Sequence, residues 1–227
     1  MEYEVTIGIE IHCELKTTSK MFTPSKVSFN DRANTHVSEI DLAFPGVLPT
    51  INKKAVEYSL KVCHALNMVI DPLLKFDRKN YFYTDLPKGY QITQQFFPLG
   101  KQGHLVLEDG KTINITRLHM EEDTAKQFHR ENQTLIDFNR AGVPLIEIVS
   151  EPEIHSGQEA AMYVSSLRQL LLYLDVSDVK MEEGSMRCDV NISLAKPNEP
   201  LGTKVEIKNL NSINNIQKAI ECEIARQ

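Results

Sequence analysis

The chain has 227 residues, 41% hydrophobic and 25% charged, which suits a globular protein with a sizeable core rather than a disordered one. With 25 Lys and Arg against 31 Asp and Glu, the formal charge is −6; this argues against a protein held on nucleic acid by bulk positive charge but leaves room for a local basic patch. No run approaches the roughly 18 apolar residues of a membrane span, the start MEYEVTIGIE lacks the basic segment of a signal peptide, and four scattered cysteines form no CxxC, so a reduced, cytoplasmic protein is expected.

In chain order, residues 5–14 alternate with period two. Val5, Ile7, Ile9, Ile11 and Cys13 share one face, and Glu10, His12 and Glu14 share the other, as in a strand with one buried side. Asn52 caps a helix running to about Met68 with the stripe Val56, Leu60, Cys63, Leu66. Residues 104–116 read as a hairpin turning on Asp109-Gly110. Residues 113–121 set Leu118 and Met120 against Arg117, His119 and Glu121, and 143–149 form a short strand. Ser156 and Glu159 make a capping box for a helix carrying Ala160, Val164, Leu167, Leu171 and Leu174. Residues 186–192 oppose Cys188, Val190 and Ile192 to Arg187, Asp189 and Asn191; residues 203–208 oppose Val205 and Ile207 to Lys204, Glu206 and Lys208. A third helix starts near Ser212 and shows no stop at Gln227, so the chain is expected to be part of a longer protein. The Pro and Gly clusters are loops rather than a linker, and a single α+β domain with a largely antiparallel sheet and flanking helices is expected.

The polar faces are unusual. Each alternating strand carries a carboxylate, and together they add two imidazoles and several cations. Gathered on one surface, such carboxylates repel unless a cation neutralises them. Oxygen donors with an occasional imidazole suit Mg²⁺ or Mn²⁺ better than zinc, and interleaved Arg and Lys suit the phosphates that accompany such a metal. The plain alternative is a solvated face with cross-strand ion pairs. Likewise Glu121-Glu122-Asp123 is either part of the site or a solvated turn capped by Asp123. Residues 75–92, KFDRKNYFYTDLPKGYQI, mix Lys75, Arg78, Lys79 and Lys88 with five aromatics. They suit phosphate contact and base stacking, or form a core-packing segment with a basic edge. Gly103…Gly110-Lys111-Thr112 misses P-loop spacing. Cys13 and Cys188 fall on apolar faces and read as structural.

Long stretches carry a resemblance: IGIEIHCELKTTSKMF, DLAFPGVLPTINKKAV, KFDRKNYFYTDLPKGYQI, ITRLHMEEDTAK, DFNRAGVPLIEIVSEPEI, SDVKMEEGSMRCDVNISL and GTKVEIKNLNS. From residue 7 to residue 212 the chain resembles the B-subunit family of bacterial aspartyl/glutamyl-tRNA amidotransferases. The resemblance implies a glutamine synthetase/guanidino kinase-like catalytic cradle over 1–227. In that family ATP phosphorylates the side-chain carboxylate of misacylated Glu-tRNA(Gln) or Asp-tRNA(Asn). Ammonia from glutamine, released by an A subunit, then displaces the phosphate. It therefore implies a carbon–nitrogen ligase, ATP and Mg²⁺ as cofactors, and A and C subunits and misacylated tRNA as partners in a heterotrimer, with no membrane. By resemblance Glu10, His12, Glu121, Glu122, Asp189 and Glu206 are expected metal ligands. Glu10, His12, Lys79, Lys88, Arg187 and Lys208 form the expected catalytic set. Arg78, Tyr81, Tyr90, Gln91 and Lys204 are expected at ATP or the tRNA end, and His119 and Asn139 orient neighbours.

Two departures stand out. Many family members carry zinc-binding cysteines near residues 23–40, where this chain has Thr23, Ser25 and Asn34 and no Cys, so structural zinc is not expected. Family members also add a helical domain and a tRNA-gripping tail, so a truncated chain is expected. A non-catalytic tRNA-binding or assembly module of the same complex is the alternative reading.

Overall fold

A computed structural model describes residues 3–227; Met1 and Glu2, the start of the segment read for a signal peptide, lie outside it. The elements in chain order are β1 Glu4–Glu14, α1 Lys53–Ala65, β2 Val69–Ile70, β3 Asp77–Asn80, β4 Tyr90–Thr93, β5 Gly100–Val106 and β6 Thr112–Glu122. They continue with β7 Lys126–Arg130, β8 Gln133–Asp137, β9 Pro144–Ser150, α2 Gly157–Tyr173, β10 Met186–Ala195, β11 Val205–Leu210 and α3 Ile213–Arg226. Seven strands form one sheet in the order β11-β10-β1-β9-β6-β5-β2, antiparallel throughout, and β3–β4 and β7–β8 make two small hairpin sheets. The α+β expectation with a large antiparallel sheet holds. Among the described residues no helix is long and apolar enough to cross a membrane.

The core lies between the apolar sheet face and the helices. Ile7, Ile9, Ile11 and Cys13 of β1, Leu118 and Met120 of β6, and Cys188, Val190 and Ile192 of β10 are fully buried. They join Val164, Leu167 and Leu171 of α2 and Ile216 and Ile220 of α3 in one cluster. Each such side chain contributes roughly 1.5–3 kcal/mol. Ser156 caps α2 by accepting from Glu159 N–H, but the Glu159 carboxylate accepts from His155 N–H, so only half of the expected capping box forms.

α1 departs from its sequence reading at two points. It ends before Met68 because Asn67 adopts a left-handed φ of 53°. Met68 N–H then bonds Cys63 O and Asn67 N–H bonds His64 O, the pairing of a left-handed helix stop. Its buried side is Ala55, Ser59, Val62 and Cys63, with Val56 and Leu60 only partly covered. β5 crosses close beneath it: a Cβ on Gly100 would lie 2.7 Å from Cys63 Sγ, so the strand needs a glycine where it passes the helix.

The loop between β1 and α1 is organised by one carboxylate. Asp41 is buried and accepts from Ser25 Oγ (2.7 Å), Thr23 Oγ1 (3.2 Å), and Ser38 N (2.8 Å) and Oγ (3.0 Å). Lys20 Nζ, also fully buried, lies 3.3 Å away. Burial lowers the Lys20 pKa, and Asp41 offsets part of that shift. Asp41→Ala leaves Lys20 uncompensated in the interior and is expected to destabilise the fold by about 3–5 kcal/mol, read as a fall in the denaturant midpoint. Cys13, Cys63 and Cys188 are buried and Cys222 is exposed, and burial pushes the Cys13 and Cys63 thiols up to about 12. One fast-reacting thiol is therefore expected in the native protein, lost in Cys222→Ser, with the other three modified only on unfolding.

Candidate functional site

Strand register brings the polar-face residues together. Glu10 stands opposite Asp189; His12 stands opposite Arg187 on one side and Glu147 on the other; Glu147 in turn faces His119. Directly opposed side chains in an antiparallel pair start about 4.5–5.5 Å apart. Two groups result, His12 with Glu121 and Glu147, and Glu10 with Asp189 and Glu206, each with ligand-capable atoms within 4.8 Å of one another.

The carboxylates of the first group are buried rather than solvated, as is Asp123 beyond them. The reading of these acids as a solvated face or a solvated turn is therefore overturned. His12 Nε2 lies 3.4 Å from Glu147 Oε2, and His119 Nε2 lies 3.3 Å from the same oxygen and 3.6 Å from Glu121 Oε2. Burial alone would lower the His119 pKa; its bonds to Glu121 and Glu147 overcome this and raise it to about 9. His12 is raised by the same balance. Burial opposes ionisation of Glu147, yet the two imidazoles hold its carboxyl well below the usual range.

In the second group Asn191 Nδ2 donates to Glu10 Oε1 at 2.9 Å, while Asn191 Oδ1 is buried without a partner. A bulge supplies the rest. Between Cys188 and Val190 the β11 register slips, and Asn209 takes a φ of 60°. The freed Asn209 N–H donates to Asp189 Oδ1 at 2.7 Å, and Lys208 Nζ stands 2.8 Å from Glu206 Oε1 and 3.7 Å from Asp189 Oδ2. Bulges re-aim side chains in this way.

A third set closes the end of the face. Arg187 bonds Asp123 Oδ2 at 2.8 Å and lies 3.7 Å from Glu14, and Arg140 Nε donates to Thr124 O at 2.9 Å. Burial and the neighbouring Asp123 carboxylate raise Glu14 well above the carboxylate range. Burial also opposes ionisation of Asp123, but Arg187 and Arg140 overcome it and hold that carboxyl low.

These groups floor an open cleft of about 550 Å³, walled by Lys79, Tyr81, Tyr83 and Gln91 from the β3–β4 region and by Gln127 and His129 from β7. Of the residues predicted from sequence, the cleft gathers His12, Lys79, Tyr81, Gln91, Glu121, Arg187, Asp189 and Lys208. Glu10 and Glu206 join through the second group. Six predicted residues are not brought in: Asn139 accepts from His36 N–H and donates to Arg32 O in the loop after β1, and the other five lie as follows. Glu122 points off the opposite side of β6, where it pairs with Lys88 and accepts Ile92 N–H at 3.1 Å. Successive strand residues face opposite ways, so Glu121 and Glu122 part company, and Lys88 follows its partner. Tyr90 lines a separate crevice beside Lys88, with Arg78 stacked 4.4 Å from its ring centroid. Lys204 precedes β11 and is exposed. The core-packing alternative for residues 75–92 fails for Phe82 and Tyr83, which are exposed.

Sequence reading missed Glu147, Arg140 and the ion-pair role of Asp123. Glu147 had a signal: it is the lone charge in the apolar run Leu145-Ile146-Glu147-Ile148-Val149. Arg140 offered none, because a turn after β8 carries it to the face.

A family model described as the GatB/GatE catalytic domain matches residues 5–227. The chain belongs to this family. It is 61% identical over 231 residues to the B subunit of the aspartyl/glutamyl-tRNA(Asn/Gln) amidotransferase of Mycoplasma mycoides subsp. mycoides, covering 99% of this chain and 48% of that protein. The counterpart in Mesoplasma florum is 58% identical over 99% of this chain and 48% of its own length. That of Staphylococcus aureus is 55% identical, over 100% and 49%. The chain spans about half the length of the curated relatives it matches.

The imidazolium of His119 contributes stability with a definite sign. Its folded value of about 9 lies above the ordinary 6.5, so the contribution is complete below about 6.5 and lost as pH rises through about 9. With a chelator present, the stability gap between the native sequence and His119→Gln is expected to narrow from about pH 6 to about pH 10, measured by denaturant unfolding.

Proposed function

We propose that this chain is the catalytic cradle of an amidotransferase B subunit, with the glutamine synthetase/guanidino kinase-like architecture that its resemblance implies. In this reading it activates the side-chain carboxylate of a misacylated Glu-tRNA(Gln) or Asp-tRNA(Asn) by ATP-dependent phosphorylation. Amidation follows with ammonia from a glutamine-hydrolysing A subunit, in a complex that includes a C subunit. The observation that carries the reading is the pair of donor groups on one sheet face, flanked by cations, in a chain whose relatives are named as the B subunit of this enzyme.

The residues fit divalent cations of the Mg²⁺ class. The donors are carboxylate oxygens with a single imidazole in one group, the hard set such ions take, and the unpartnered Asn191 Oδ1 sits in the residue that bonds Glu10. His12, Glu121 and Glu147 would hold one ion, and Glu10, Asp189 and Glu206 a second. Bound there, the ions would supply charge neutralisation for phosphoryl transfer between two anions.

The chain's own groups do the rest. Lys79 and Lys208 bring positive charge to the cleft where phosphate oxygens gather. Arg187, fixed by Asp123 and Glu14, and the bonds from His119 to Glu121 and Glu147 hold the donors in place before the substrate arrives. Tyr81, Tyr83 and Gln91 wall the space that an aminoacyl ester must enter.

Glu10→Ala or Glu206→Ala in the assembled amidotransferase is expected to lower amidated tRNA formation at least a hundredfold while leaving glutamine hydrolysis measurable. In the isolated chain the same variants are expected to lose one class of Mn²⁺ site by paramagnetic titration. Amidation at the native rate in both variants sinks the assignment.

A further inference from the structure

Pairing between β5 and β6 ends at Gly100 opposite Leu118, while β6 runs on to Glu122. Past that point, side chains of the β4 segment meet the backbone of β6. Met120 N–H donates to Gln94 Oε1 at 3.0 Å, and Gln91 Nε2 donates to Glu122 O at 2.6 Å. Gln94 is fully buried, and its Nε2 donates in turn to Lys75 O at 3.0 Å. Both ends of that amide are therefore used, which fixes its orientation. Buried backbone groups are obligatory hydrogen-bonding partners, so these two amides do for the end of β6 what a neighbouring strand does for its start.

Glu121 lies between the two anchored residues, and its carboxylate is anchored as well. Thr93 is 2% exposed and donates from Oγ1 to Glu121 Oε2 at 3.3 Å; His119 Nε2 lies 3.6 Å from the same oxygen. Glu121 Oε1 lies 4.0 Å from His12 Nε2, and among the described residues it accepts no hydrogen bond. The two oxygens are thus unequal: Oε2 is held, and Oε1 is left open beside His12.

The hydroxyl also joins two parts of the site. β4 pairs with β3, with Thr93 opposite Asp77 and Gln91 opposite Lys79. Lys79 and Gln91 wall the larger cleft, so the hairpin that forms this wall is the one that holds Glu121. Outer partners of this kind orient a ligating carboxylate before the ion arrives.

We propose that Thr93 is a positioning residue for the cation of the first donor group. Its hydroxyl holds Glu121 Oε2 and leaves Oε1 to the ion shared with His12 and Glu147. This rests on the divalent-cation reading proposed above and names what sets the geometry of that group. Thr93 acts through Glu121 and touches neither ion nor substrate.

The test is Mn²⁺ titration of the 227-residue chain, read by electron paramagnetic resonance in a Glu206→Ala background so that the first donor group is seen alone. Thr93→Val and Thr93→Ala both remove the hydroxyl, the first while keeping the side chain's shape. Each is expected to weaken Mn²⁺ about tenfold, the lower end of the loss that follows removal of an outer partner. Thr93→Ser keeps the hydroxyl and binds Mn²⁺ as its parent does. The denaturant midpoint without metal shows which variants are folded. Native Mn²⁺ affinity in a folded Thr93→Val or Thr93→Ala chain overturns the proposal. So does an equal loss in Thr93→Ser, which makes the position one of packing alone. If the Glu206→Ala parent binds no Mn²⁺, or binds it equally well after His12→Ala, the divalent-cation reading of this group fails instead.

Discussion

Ionised carboxylates removed from water must meet positive charge or be protonated. That constraint governs one whole face of the seven-stranded sheet. Glu121, Asp123, Glu147 and Asp189 are all buried there, and each is met by an imidazole, a guanidinium, an ammonium or a backbone N–H. The compensation is dense but incomplete in kind. His119 Nδ1 and Asn191 Oδ1 are buried with no partner, and each belongs to a residue that touches one of the two donor groups. Replacing buried ion pairs by packed hydrophobics is often neutral or favourable, so stability alone does not account for this set of charges. The hydrophobic stabilisation comes from the other surface, where the apolar face packs against the helices.

Much of this was legible in the sequence because period two is a direct code for faces. β1, β6 and β10 each separate an apolar from a charged side, and the apolar residues read from them are buried, Val5 near the start of β1 excepted. What was not legible arose where one rule interrupts another. Asn67 fell within the last turn of a helix read as running to about Met68, and its left-handed backbone ends that helix sooner. Glu121 and Glu122 looked like one acidic cluster, yet adjacency in a strand means separation in space. The β11 bulge cannot be seen in Lys204, Glu206 and Lys208 alone, although it aims Asn209 N–H at Asp189 beside Lys208; Lys204 stays outside because it precedes the strand. Glu147 was hidden for the opposite reason: its strand is covered on both faces, so the alternation that marks the other strands is absent.

The loop between β1 and α1 shows how a small chemical change is absorbed. Where many members of the resembled family carry cysteines, this chain has hydroxyls converging on Asp41. A carboxylate ringed by Thr23, Ser25, Ser38 and Lys20 fixes the loop by short-range hydrogen bonds, and it does so without thiols. The same loop supplies Phe29 to a hollow that it shares with Phe128 of β7 and Asn139, so the anchoring at Asp41 also helps set that surface.

β1 serves both faces of the sheet. One strand contributes four fully buried apolar residues to the core and, between them, Glu10 and His12 to separate donor groups. Because its side chains alternate, a slip of one residue against β9 or β10 would exchange the two sets, putting charges into the core and isoleucines into the cleft. A one-residue register error that damaged only the site is thus closed to this protein. The packing energy of the core acts as a proofreading device for the chemistry on the other face, and any molecule that has folded its sheet has also set its carboxylates in line.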